Sequence, residues 1–247
     1  MLVLTYADVL AAALVVIALV VLVIAYFSAR KAPYANLRRT EAYQVAEALM
    51  HEAAEKGQRN VLALGGSTSG EPGTLSGLAG MPAWRALARR SVFNDYRATA
   101  NAGDGNLALL AQMVARGEYE DALAPELFLP EHALLVGTSP SAYLAGLLPE
   151  VNQPGNSGLM MSGTFALDLA NRKGLQSMAA TDSLSAQAAF FASGAPLALG
   201  EDYYAPGAVL QTHPGAAAQL RAQDVLRVLL ILGMVVGAAL KMAGVLP

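Results

Sequence analysis

The chain has 247 residues, of which 55% are hydrophobic and 14% charged, with a mean hydropathy of +0.41. That balance is too apolar for an ordinary soluble domain and too mixed for a polytopic transporter. A formal net charge of −3 and a pI near 5.6 give no electrostatic reason to expect a nucleic-acid partner, and the absence of cysteine excludes disulfides, thiol nucleophiles and cysteine-bound metal.

The first predicted element is apolar. Val9 to Ala29 carries no charge, and a helix rising about 1.5 Å per residue over that stretch matches a hydrocarbon core of roughly 30 Å. No Lys or Arg precedes it, and "YFSARK" is a poor small-x-small cleavage site, so it reads as an anchor and not as a removed signal peptide. Residues 1–30 are therefore expected to form an N-terminal transmembrane helix, and residues 31–39 a basic juxtamembrane linker loosened by Pro33 and Asn36.

Residues 40–212 read as an α/β domain. Thr40 to Gly57 is a helix in which Thr40 can cap, Tyr43, Ala46, Met50 and Ala53 recur at three-to-four spacing, and Gly57 stops the coil. "NVLAL" is a buried strand ending at Gly65, followed by a helix within "TLSGLAGMPAWRALARRSVFNDY" that is interrupted or bent at Pro82. The alternation then repeats: "YRATANA", "HALLVG", "SGLMMSG", "LQSMAA" and "PLALG" as strands, with "GNLALLAQMVARG", "SPSAYLAGLL", "TFALDLANRKG" and "SLSAQAAFFAS" as helices. Apolar strands separated by helices of ten or so residues predict parallel βαβ units, hence a Rossmann-like, mostly parallel sheet flanked by helices.

Residues 213–247 form the last predicted element, a helix with Pro214 at its first position that runs into a second transmembrane helix from Val228. Arg30, Lys31, Arg38, Arg39, Arg221 and Arg227 lie on the side of the middle domain, whereas Lys241 lies toward the far side. The excess of basic residues places the domain in the cytoplasm and both termini on the opposite side of a bacterial cytoplasmic (inner) membrane.

Candidate sites follow from the strand ends. Gly65 to Gly70 reproduces the G-x-x-x-x-G half of a P-loop, but Glu71 and Pro72 stand where Lys and Ser/Thr are needed, and no G-x-G-x-x-G passes through these glycines. "LALGGSTSG", "LLVGTSPSA" and "SMAATDSLSA" all leave a strand through small and hydroxyl residues, a pattern that helix capping explains by itself. Its functional reading is a small-ligand site built from Gly65, Gly66, Ser67, Thr68, Thr138, Ser139, Thr181 and Asp182. Asp104, Glu201 and Asp202 also follow strands, and "GEDYYAPG" reads either as packed tyrosines with exposed acids or as a contact surface. "HEAAE" lacks the second His of a zinc helix, the three histidines have no ligand spacing, and "GGSTSG" and "GTSPS" both miss G-x-S-x-G. No catalytic residue, metal or cofactor is therefore assigned.

Gly174 to Leu210, followed by "AQDVLRVLLILG" and preceded by "HEAAEKGQRNVLALGG", resembles an uncharacterised family of bacterial membrane proteins carrying a domain of unknown function, over most of the chain from Thr40 onward. The resemblance implies a membrane-tethered α/β domain and no activity to carry over. Gly200, Glu201, Asp202, Tyr203 and Tyr204 match its most recognisable run, which makes Glu201, Asp202, Tyr203 and Tyr204 candidate interaction residues. Gly233 and Gly237 join them as a small-x-x-x-small helix face. The reading is a non-catalytic, membrane-anchored assembly or scaffold subunit that associates with the lipid bilayer and with copies of itself or related subunits. The alternative is a membrane-tethered sensor or enzyme that binds a nucleotide or sugar phosphate at the strand-end loops.

Overall fold

The computed structural model describes residues 6–29, 34, 37, 40–65, 77–94, 97–163 and 175–242. Two compact units emerge, one made of Met1–Leu37 with His213–Pro247 and the other of Arg38–Thr212. Helix α1 (Tyr6–Ala29) belongs to the first.

The second unit opens with α2 (Glu41–Lys56), where Thr40 holds the N-cap position without a side-chain cap bond. Gly57 ends the helix in the left-handed region (φ 61°), and the Gln58 N–H donates to the Ala53 carbonyl in a six-residue closing loop. Six strands follow: β1 (Arg59–Leu64), β2 (Ala98–Ala102), β3 (Ala133–Leu135), β4 (Asn156–Ser162), β5 (Gln176–Ala180) and β6 (Leu197–Ala198). They pair in the order β3-β2-β1-β4-β5-β6, with every described pairing parallel. The expected α/β sheet is therefore present.

The strands are buried on both faces because helices cover both. Helices α3 (Met81–Asn94), α4 (Gly105–Asp121), α5 (Pro140–Val151), α6 (Leu184–Ser193) and α7 (Pro206–Val209) connect or follow them. On one face Val61, Ala63, Leu159, Met161 and Ala179 meet Tyr143, Leu147 and Val151 of α5 and Ala186 and Phe190 of α6. The other face receives α2, α3 and α4. Many inward positions of the sheet are alanine, among them Ala98, Ala100 and Ala102, so the bulk of the core comes from the helices, as Trp84, Tyr43, Leu49 and Phe190 show. The Trp84 indole N–H donates to the Ala111 carbonyl at 2.8 Å, tying α3 to α4 through a satisfied buried donor.

Two prolines shape helix ends. Residues 77–79 are helical, the helix is interrupted at Gly80, and Pro82 falls in the first turn of α3, where its missing N–H costs nothing, so the expected interruption is present just ahead of the proline. Pro149 lies inside α5, which continues to Val151 instead of stopping at Leu148. Val151 is buried in the core and Glu150 pairs with Arg59 at 3.1 Å, and these contacts hold the last turn in place despite the lost bond. The predicted helix over residues 164–174 lies outside the described residues.

Helix α8 (Pro214–Met242) belongs to the first unit, packs against α1, and begins at Pro214 as expected. Over Pro214–Ala239 it is the one described helix long and apolar enough to cross a membrane, and Ala12–Ser28 of α1 is a shorter apolar segment. Both carry exposed aliphatic rows, from Leu14 to Ile24 and from Val228 to Val236.

Candidate functional site

A parallel sheet presents all its carboxyl ends along one edge, and hydrogen bonds that continue past the strands here fix that edge in register. The Val136 N–H donates to the Ala102 carbonyl (3.0 Å), Gly103 N–H to Leu64 (3.2 Å), Gly65 N–H to Ser162 (2.9 Å), Gly163 N–H to Ala180 (3.0 Å) and Thr181 N–H to Ala198 (3.3 Å). The strand order reverses between β1 and β4, so the topological switch point lies between Gly65 and Gly163. In open α/β sheets this is where a crevice forms for ligands.

Gly65 is buried at that point; Gly66, Ser67 and Thr68 lie outside the described residues. The start of α3 sits directly over the crevice: a Cβ on Gly80 would come within 2.6 Å of Ser162 Oγ and 2.7 Å of Leu64 Cδ2, so only glycine permits this approach. Thr138 and Ser139 follow β3, whereas Thr181 and Asp182 follow β5, four strand steps or roughly 19 Å away. The two pairs flank Gly65 from opposite sides and do not converge on one small group.

Most of the strand-end hydroxyls and acids are engaged locally. Asp104 caps α4, its Oδ1 accepting from the N–H groups of Asn106 (2.7 Å) and Leu107 (3.4 Å). Ser139 caps α5 by accepting from the Ala142 N–H at 3.3 Å, and the buried Thr181 Oγ1 accepts from the Ser183 N–H at 3.1 Å. Capping thus accounts for Asp104 and Ser139, and a local hydroxyl turn for Thr181.

The GEDYY run is a 3-10 helix, Gly200–Tyr204, just past β6 and therefore beside the end of β5. Tyr203 is fully buried, and Glu201 and Asp202 are half-buried. Tyr204 is 48% exposed, with its ring edge-on to that of Tyr203 at 4.9 Å. Desolvation, and after it the Asp182 carboxylate, push the Tyr204 phenol above its ordinary pKa, so the structure brings Asp182 and Tyr204 into one neighbourhood. From α2, the buried Tyr43 hydroxyl donates to the carbonyls of Asp202 (2.9 Å) and Tyr203 (3.3 Å). Burial, reinforced by Tyr203 and Asp202, keeps that phenol protonated and hence a donor.

Two polar residues that no motif marks lie on β2. Thr99 and Asn101 are buried, and the Thr99 Oγ1 and both side-chain polar atoms of Asn101 have no hydrogen-bond partner. Asn101 is one residue from the carboxyl end of its strand, beside Ala63 of β1. The buried Tyr143 hydroxyl donates to the Asn101 backbone carbonyl at 3.0 Å and leaves the amide unused. A buried amide without partners costs on the order of 1–3 kcal/mol and calls for an explanation. An Asn and a Thr in an alanine strand were the visible signal, but burial had to be known before it could be read.

The histidines take structural places: buried His132 stacks on Tyr119 at 5.2 Å and accepts from the Leu129 N–H through Nδ1, and desolvation lowers its pKa. His213 Nδ1 accepts from the Gly215 N–H at the start of α8. Among the described residues no group of three or more His, Asp or Glu side chains is placed to hold a metal ion.

No curated protein and no solved structure matches the chain. A family model described as a domain of unknown function, DUF6754, matches residues 4–246. The predicted resemblance holds at that level, and because the match takes in helices and α/β domain alike, the chain belongs to the DUF6754 family.

Proposed function

We propose that this protein is a membrane-anchored, non-catalytic assembly subunit, held in the bacterial cytoplasmic membrane by two spans with its α/β domain in the cytoplasm. The observation that carries the reading is the aliphatic surface of α8, exposed from Val228 to Val236 on a helix long enough to span. In water each such side chain would forgo roughly 1.5–3 kcal/mol of burial, so a bilayer or a protein partner is the natural surrounding. The exposed row on α1 and the basic residues on the domain side support the second span and the orientation.

Association is supported by the glycine face of α8. Among the described residues a Cβ at Gly233 or Gly237 meets nothing within 4 Å, which leaves room for close approach by a helix of another chain. In the domain, Leu184 and Phe191 on α6 are 82% and 83% exposed, two turns apart on one face. Light scattering of the detergent-solubilised protein should give an oligomer, and Gly233→Leu with Gly237→Leu should weaken association by about tenfold, a packing loss of ~1–2 kcal/mol. A monomeric wild type, or an oligomer indifferent to both leucines, sinks the proposal.

The unpaired Asn101 amide near the switch point favours one second reading, a nucleotide or sugar-phosphate sensor or enzyme at the strand-end crevice. Thermal stabilisation by such compounds, abolished by Asn101→Leu, distinguishes it from pure assembly.

A further inference from the structure

We propose that the cleft between α3 and the Leu210–Thr212 turn binds a phosphate-type oxyanion. The cleft measures about 370 Å³ and lies wholly within the Arg38–Thr212 unit. Three arginines of α3 line it, Arg85, Arg89 and Arg90, and among the described residues no carboxylate does.

The charges around it do not balance at the cleft itself. Arg85 turns its Nε to the buried Glu118 carboxylate and one Nη to Asp121 at 3.9 Å. Arg90 reaches Glu47 through Nη2 at 3.4 Å, while its buried Nη1 finds no acceptor. Arg89 is exposed and has no anionic partner among the described residues. Of the three guanidinium groups at the hollow, Arg89 is thus the one whose charge is not met by a carboxylate among the described residues. A group with several anionic acceptor oxygens answers it, because a guanidinium stays charged and its fork of N–H donors matches a phosphate edge.

The opposite wall is held in an unusual backbone state. Gln211 has φ 58°, a left-handed conformation that a residue with a Cβ rarely adopts. It is kept there by bonds from the Gln211 N–H to the Ala208 carbonyl (3.3 Å) and from the Thr212 N–H to the Gly207 carbonyl (3.0 Å). This left-handed closure of α7 fixes where that wall of the cleft stands. At the rim Phe93 is 67% exposed, an uncovered ring that suits an organic moiety carried by the phosphate. The phosphoryl group can come from a soluble phosphorylated metabolite or from an anionic lipid headgroup, since both offer a guanidinium the same oxygens.

The full-length protein in phosphatidylcholine nanodiscs separates these sources. Its thermal midpoint is followed against inorganic phosphate and AMP, with sodium chloride at matched ionic strength as control, and again in nanodiscs doped with phosphatidic acid. Stabilisation by phosphate or AMP identifies the soluble source, and stabilisation by phosphatidic acid alone identifies the lipid. In either case Arg89→Gln should weaken the response about tenfold, the loss of one charge-assisted contact, with Arg89→Lys in between. Arg89 is exposed, so both variants should fold. No response to any of the three probes, or a response that Arg89→Gln leaves intact, overturns the proposal, and neither result bears on the oligomer predicted from the glycine face.

Discussion

Leu123 ends α4 in the position that ended α2 with Gly57. Its φ is 57°, the Leu123 N–H donates to the Glu120 carbonyl (3.0 Å) and the Ala124 N–H to Tyr119 (2.9 Å), so the backbone closes as it would around a glycine. An L-residue held there costs roughly 1–2 kcal/mol, glycine gives back about 0.5–1 kcal/mol as chain entropy, and at 88% exposure Leu123 buries almost nothing. Leu123→Gly should therefore raise stability by about 0.5–1 kcal/mol in urea unfolding. At this scale the sequence was readable where a residue type is the signal, as with Gly57 and Pro214. It was silent where an ordinary residue adopts an uncommon backbone state, as Leu123 and Gln211 do, because neighbouring contacts impose that state.

Between elements, the GEDYY turn depends on α2 through one hydroxyl. Tyr43→Phe keeps the ring in the core but leaves the Asp202 and Tyr203 carbonyls without that donor. Asp202 retains the Ala205 N–H, so the loss should fall near the lower end of the range, about 1 kcal/mol in thermal or urea unfolding. The same change should raise amide exchange over Gly200–Tyr204 more than elsewhere, because the tether is local. The run "GEDYY" was visible as an unusual string, and Asp182 as a residue following a strand. That β5 and β6 pair and set the two side by side belongs to strand pairing, which has no local signature.

For the molecule as a whole, the division into Met1–Leu37 with His213–Pro247 and Arg38–Thr212 makes a separable expectation. The full chain should stay with membranes through a carbonate wash, whereas a fragment spanning Arg38–Thr212 should be recovered in the supernatant and unfold cooperatively, since it holds its own sheet and core. Release of the full chain by carbonate contradicts the anchored reading.

Apolar runs without charge and the alternation of strand-like and helix-like periods are local properties, and from them the sequence by itself determined the greasy ends and the α/β class. Strand order, the crevice between Gly65 and Gly163, the burial of Asn101 without a partner and the meeting of Arg85, Arg89 and Arg90 with Gln211 were decided only by the tertiary structure. The physical reason is the range of the interactions: helix and strand periods are set by residues a few positions apart, while pairing, burial and clefts arise between segments brought together by the whole core.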